Sequence, residues 1–181
     1  MSHFLATIEK IARGFDQINE RLGQAISWLS LLMVLVTVAV VVLRYVFQLG
    51  WIWLQESVTF MHAALFLVGA AYTLKHEGHV RVDILYRKFS ERGRAWVDLI
   101  GTLTLLLPVC LFIFFISWDY VAKSWALFEG SREVGGLDGV FLLKSLILVM
   151  AVLLVLQGIS LAVRSLTQLL GQGEVSAEGD G

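Results

Sequence analysis

The sequence predicts an all-α integral membrane protein: four transmembrane helices preceded by an N-terminal amphipathic helix at the membrane interface. Three observations carry this expectation. Of 181 residues, 57% are apolar and only 16% charged, whereas a soluble domain carries about a quarter charged residues. Charge is absent from four runs, 25–43, 57–74, 99–118 and 145–163, of 19, 18, 20 and 19 residues. At about 1.5 Å per residue each can cross roughly 30 Å of hydrocarbon as a helix, the one local fold that satisfies its own backbone in lipid. Finally, Trp28, Trp51, Trp53, Trp96, Trp118 and Trp125 all fall at or just beyond the ends of these runs, as interfacial belts require.

Residues 1–24 come first. Phe4, Ile8, Ile11, Phe15, Ile18 and Leu22 recur at spacings of four and three, with Glu9, Lys10, Arg13, Asp16, Gln17, Glu20 and Arg21 on the other faces. Beside a membrane span, such a helix is expected to lie in the interface. Residues 25–170 form the membrane domain, with spans at about 25–47, 56–75, 96–119 and 141–164. The first span is too long for a signal peptide core and follows three acidic residues, so it is expected to remain as an anchor.

In the second span, Ala63, Ala64, Gly69, Ala70 and Ala71 are small, and Gly158 and Ala162 make a small-xxx-small pair in the fourth. Both faces favour close helix approach, within the bundle or with a partner. Pro108 is expected to kink the third span. The link from Asp119 to Lys144 should begin as a helical extension and break at Gly130 and Gly135-Gly136. Residues 171–181, glycine-rich and acidic, carry the composition of a disordered tail.

Charge sets the expected orientation. Ten of the 14 Lys and Arg lie in the N-terminal segment, the 75–94 link and Arg164; Arg44, Lys123, Arg132 and Lys144 lie on the other side. The positive-inside rule then places both termini in the cytoplasm. A net charge of −1 leaves no basic footprint for nucleic acid.

The polar residues offer little chemistry. The stretch "KHEGHVRVD" (75–83) pairs His76 with His79, but Gly78 weakens a helix between them and a zinc site needs three or four ligands. Within it, Arg81 and Asp83 would share one side of an extended segment; Asp83 could instead cap a short surface helix, or the loop's charges could serve topology alone. His62, the one histidine inside a span, reads either as an imidazole bonded to a neighbouring helix or as a functional group. Glu56 at the start of the second span suits the helix dipole, and Lys144 sits where it can reach headgroups. No nucleophile motif, acid–base pair or phosphate loop is present, so no catalytic residues, metal or cofactor are expected. Cys110 stands alone and forms no disulfide within the chain.

Taken in order, the motifs resemble a known family. They are Arg44-Tyr45, "WLQE" (53–56), "LVGAAYTLKHEGHVRVDILY" (67–86), "VDLIG" (97–101), Pro108, "SREVGGLDG" (131–139), "LLKSLI" (142–147) and "LQGIS" (156–160). Together they are similar to the DctQ-type small membrane subunit of TRAP transporters (tripartite ATP-independent periplasmic). One departure stands out: Asp138 occupies a position where that family often has proline. The resemblance implies a small permease subunit in the bacterial inner membrane, stably paired with a large DctM-type subunit that it braces. A periplasmic binding protein delivers an organic acid, and the large subunit carries it by an elevator-like symport driven by an ion gradient, usually sodium. Glu56, His62, His79, Arg81, Asp83, Lys144, Gly158 and Ala162 are the expected partner-facing or structural positions. The alternative is a haem-binding membrane anchor of a respiratory oxidoreductase, for which His62 would be the axial ligand. A small subunit of the unrelated tripartite tricarboxylate system shares the architecture but not the HVRVD sequence.

Overall fold

The computed structural model describes residues 2–76, 78, 86 and 88–178. His79, Arg81 and Asp83 therefore lie outside the described residues. The described chain is helical, with no strand among the described residues, and four of its stretches are long and apolar enough to cross a membrane: Thr7–Tyr45, Ile52–Lys75, Glu91–Ala126 and Val140–Leu170.

Helix α1 (Ser2–Tyr45) joins the amphipathic segment to the first span without a break. The segment is helical as its periodicity requires, but residue 24 is no structural boundary. The helix stops at a left-handed turn: Gln48 has φ 55°, and Leu49 N–H donates to Leu43 C=O at 2.9 Å. Helix α2 (Ile52–Lys75) follows and closes with Lys75 in its last turn, where a cation suits the dipole.

The third span starts earlier than its apolar run suggests. Ser90 caps helix α3 (Glu91–Gly101) by accepting from Gly93 N–H at 3.2 Å, and Glu91 occupies the first turn. A single π turn (Thr102–Leu106) connects α3 to helix α4 (Leu107–Ala126), with Pro108 in the first turn of α4. Leu107 N–H donates to Thr102 C=O, five residues back. The expected proline interruption thus takes the form of a widened turn, because Pro108 has no N–H to return to Thr104. The loop after Ala126 breaks as the glycines predict. It closes on itself through Ser131 N–H to Leu137 C=O (3.0 Å) and Gly136 N–H to Glu133 C=O (3.0 Å), with Gly135 at φ 80°. Asp138 is accommodated opposite Gly130, where a side chain would meet it at 2.6 Å.

Helix α5 (Val140–Glu178) is the hub, packed against α1, α2, α3 and α4. It extends into the glycine-rich tail, since adding residues to an existing helix needs no new nucleus. The buried apolar core is small: Val68 and Ala71 of α2 and Leu153 of α5, with Ile26, Leu146 and Leu154 around them. Most large apolar side chains of α1 and α4 point outward, as lipid permits. All six tryptophans are exposed.

Candidate functional site: two polar clasps and an outward histidine

Polar side chains are gathered at the two ends of the bundle. At the first, α1 and α5 run antiparallel and lock through Asp16, Asn19, Gln157, Ser160 and Arg164. Asp16 accepts from Gln157 Nε2 at 3.1 Å, from Ser160 Oγ at 2.7 Å and from Arg164 Nη2 at 2.5 Å. Asn19 Nδ2 donates to Gln157 Oε1 at 2.7 Å, while Asn19 Oδ1 is buried without a hydrogen bond. Asn19, Gln157 and Ser160 are 1%, 2% and 0% exposed.

This arrangement turns the amphipathic segment inward. Asp16, Asn19 and Glu20 meet protein, whereas Lys10, Arg13, Gln17 and Arg21 stay exposed together with Ile11, Ile18 and Leu22 of the apolar stripe. The inner face of α1 is Ala12, Asp16, Asn19, Glu20 and Gly23, small or polar at helical spacing. Small residues let the backbones approach, and the polar ones bond across. Glu20 extends the lock to α2, with Lys75 Nζ at 2.6 Å and His76 Nε2 at 2.8 Å. Beside them the helices nearly touch: a Cβ on Gly23 would lie 2.2 Å from the Tyr72 ring.

The second clasp holds the loop at the opposite end. Glu56 accepts from Ser131 Oγ at 2.5 Å and from Leu137 N–H at 2.7 Å. The α2 terminus adds Trp53 N–H to Gly135 C=O at 3.1 Å. A Cβ on Gly136 would sit 2.7 Å from Glu56 Oε2, so the clasp needs glycine there. Glu129 ties the same loop to α4 and α5 through Ser124 Oγ (2.7 Å) and Lys144 Nζ (2.5 Å). Lys144 also lies over the Tyr120 ring at 4.1 Å.

The Lys144 ammonium, then the Ser124 hydroxyl, hold the Glu129 carboxyl below the usual carboxylate range. A depressed carboxylate stabilises the fold above its unfolded pKa, about 4.3, and that contribution is lost as pH falls through the folded value. Thermal stability in detergent should therefore drop as pH falls below about 4.3, and Glu129→Gln should flatten part of that drop. An unchanged acid profile would remove Glu129 from the clasp.

Of the sequence candidates, Glu56 and Lys144 thus belong to the loop clasp, Glu56 reaching across to the loop rather than only answering the helix dipole. Gly158 faces inward, 3.0 Å from Leu106 and Leu107 of the third span when a Cβ is added; Ala162, one turn on, is half-buried. His62 points outward, exposed, and stacks on Phe66 of its own helix at 6.0 Å. His76, weighed as half of a metal pair, is bound to Glu20 instead.

Sequence reasoning missed Asn19, Gly23, Gln157 and Ser160, and it used Asp16 and Arg164 only as surface charges. Gln157, Ser160 and Arg164 stand at i, i+3 and i+7, one face of a helix in an apolar run. Such a face was the available signal.

Comparison with known proteins fits this architecture. Residues 33–168, about three quarters of the chain, match the family model described as tripartite ATP-independent periplasmic transporters, DctQ component. The chain belongs to the DctQ family. Over 88 residues it is 33% identical to the C4-dicarboxylate TRAP transporter small permease protein DctQ of Vibrio cholerae serotype O1. That match covers 49% of this chain and 38% of the relative's length. No solved structure matches. This is a family of transporter components, not an enzyme class, and the haem-anchor alternative gains no support from the comparisons. All the motifs quoted above fall within the matched DctQ region, and so do His62, the loop clasp and the α5 half of the first clasp.

Proposed function

We propose that this DctQ protein is the small permease subunit of a tripartite, ATP-independent secondary transporter for an organic acid. It pairs stably with a large membrane subunit and braces that subunit's scaffold. A periplasmic binding protein supplies the substrate, and a sodium gradient drives symport through an elevator-like movement of the large subunit. One observation carries the bracing role. At both ends of the bundle polar side chains are bonded to one another across α1, α2, α4, α5 and the loop, while the apolar sides of α1 and α4 face outward. Such a bundle is internally fastened and externally apolar, which suits a rigid support against another membrane protein.

The test is purification of the tagged chain from its native membranes. A large polytopic membrane protein should accompany it in equal amount. The pair, reconstituted with the binding protein, should take up a C4-dicarboxylate only when sodium is higher outside. Uptake without the small subunit, or uptake indifferent to sodium, would overturn the bracing role and the coupling respectively.

The sequence carries ten Lys and Arg in the N-terminal segment, the 75–94 link and Arg164 against four in the other two links, so we place both termini in the cytoplasm of the inner membrane. Membrane-impermeant thiol reagent applied to intact cells should label Gly50→Cys and spare Ser90→Cys. Cys110 is only 3% exposed and leaves the background low. The reverse pattern would invert the topology.

A further inference from the structure

His62 sits about 15 Å from one end of α2 and about 20 Å from the other at 1.5 Å rise per residue. That is the depth where an ionisable side chain is most costly in lipid. Its imidazole carries one donor and one acceptor, yet it meets only the face of Phe66 and makes no hydrogen bond among the described residues. Asn19, Ser124, Gln157 and Ser160, buried in the bundle, have partners within the chain. His62 is different.

It also stands at the edge of a groove. Between α1 and α2, Met33, Thr37 and Val38 face Val58, Thr59 and His62 across an open trough. A second trough continues along the same seam past Phe66 to Ser27, Gly69 and Thr73. From Val58 to Thr73 the seam runs about 22 Å along α2, most of the hydrocarbon thickness. Gly69 has no atom within 4 Å of where its Cβ would be, so its notch admits a close backbone.

We propose that this α1–α2 seam is the docking groove for one transmembrane helix of the large membrane subunit, which brings a hydrogen-bonding side chain to His62. The proposal rests on the reading of the chain as a small permease subunit. A lipid tail fills a trough but leaves the imidazole unbonded. A second copy of this chain meets groove with groove, each with Phe66 standing 73% exposed at its rim, and fills neither. A helix ridge with one polar group satisfies both shape and chemistry.

The test places a photocrosslinking amino acid at Thr59, and separately at Phe115 on the outward face of α4, in the complex with the large subunit. Thr59 should yield an adduct with the large subunit. His62→Leu and Gly69→Leu should each lower recovery of the large subunit on the tagged chain about tenfold, and His62→Asn should retain most of it. Circular dichroism and elution of the isolated variants should match wild type, since neither side chain is in the core. An adduct from Phe115 alone, an adduct between two copies of the chain, or lipid adducts only would each overturn this groove while leaving the small-subunit reading intact. If the wild-type chain brings down no large membrane protein, the functional reading fails, and the groove with it.

Discussion

Gly23→Leu should pry α1 away from α2 and cause the largest loss of stability of any single substitution in the first clasp. Even a methyl group at this position would lie 2.2 Å from Cδ2 and 2.6 Å from Cβ of Tyr72. The Tyr72 Cβ is fixed to the backbone of α2, so the ring cannot simply swing aside. Overpacking of this kind costs about 1–3 kcal/mol and sometimes more, and here the displaced helix also carries Lys75 and His76 away from Glu20. The thermal midpoint in detergent should fall by about 5 °C or more for leucine, with alanine intermediate. A second substitution, Tyr72→Ala, should restore part of the loss by vacating the space. If Gly23→Leu melts like wild type, the contact between α1 and α2 at this level is looser than described.

Gln157→Leu should be nearly as damaging, for a chemical rather than a steric reason. The Gln157 amide accepts from Asn19 and donates to Asp16, in a site where all three residues contribute to one network. Removing it leaves the buried Asn19 amide with only a long contact, 3.4 Å, to Leu153 C=O. An unsatisfied buried polar group costs about 1–3 kcal/mol. The informative variant is the pair Asn19→Leu with Gln157→Leu. Replacing both partners by apolar groups removes the unsatisfied atoms together, so the double variant should be less destabilised than the sum of the singles. Strict additivity in thermal unfolding would show that the two amides do not interact.

Legibility differed between parts of the molecule. The four spans follow from length and hydropathy, because lipid imposes one local solution on an uncharged run of about 20 residues. The breaks in the 127–139 loop were readable because glycine marks them, and Gly135 at φ 80° shows the reason. The helix that carries the third span begins ahead of the apolar run: Ser90 and Glu91, a capping signal, lie six and five residues before residue 96. Glu56 and Lys144 were picked out as polar residues near span ends, but their partners Ser131 and Glu129 were not. Those partners are separated from them by 75 and 15 positions in sequence. No periodicity within one helix specifies such a pairing.

By itself, then, the sequence determined the number of spans, the apolar runs that form them, the tryptophans at their ends, the charge asymmetry and the family. Each is a local or compositional property, fixed by the exchange of side chains and backbone between water and hydrocarbon. What only the tertiary structure decided is which way the helices turn. An amphipathic stripe states that one side of α1 prefers lipid; it does not state whether the other side meets water or protein. Asp16 and Asn19 found Gln157, Ser160 and Arg164 more than 130 residues away, and Gly23 found Tyr72. These choices depend on close backbone approach and on hydrogen bonds between helices. Both arise only once the spans are assembled, because in lipid the apolar surface no longer dictates which faces pair.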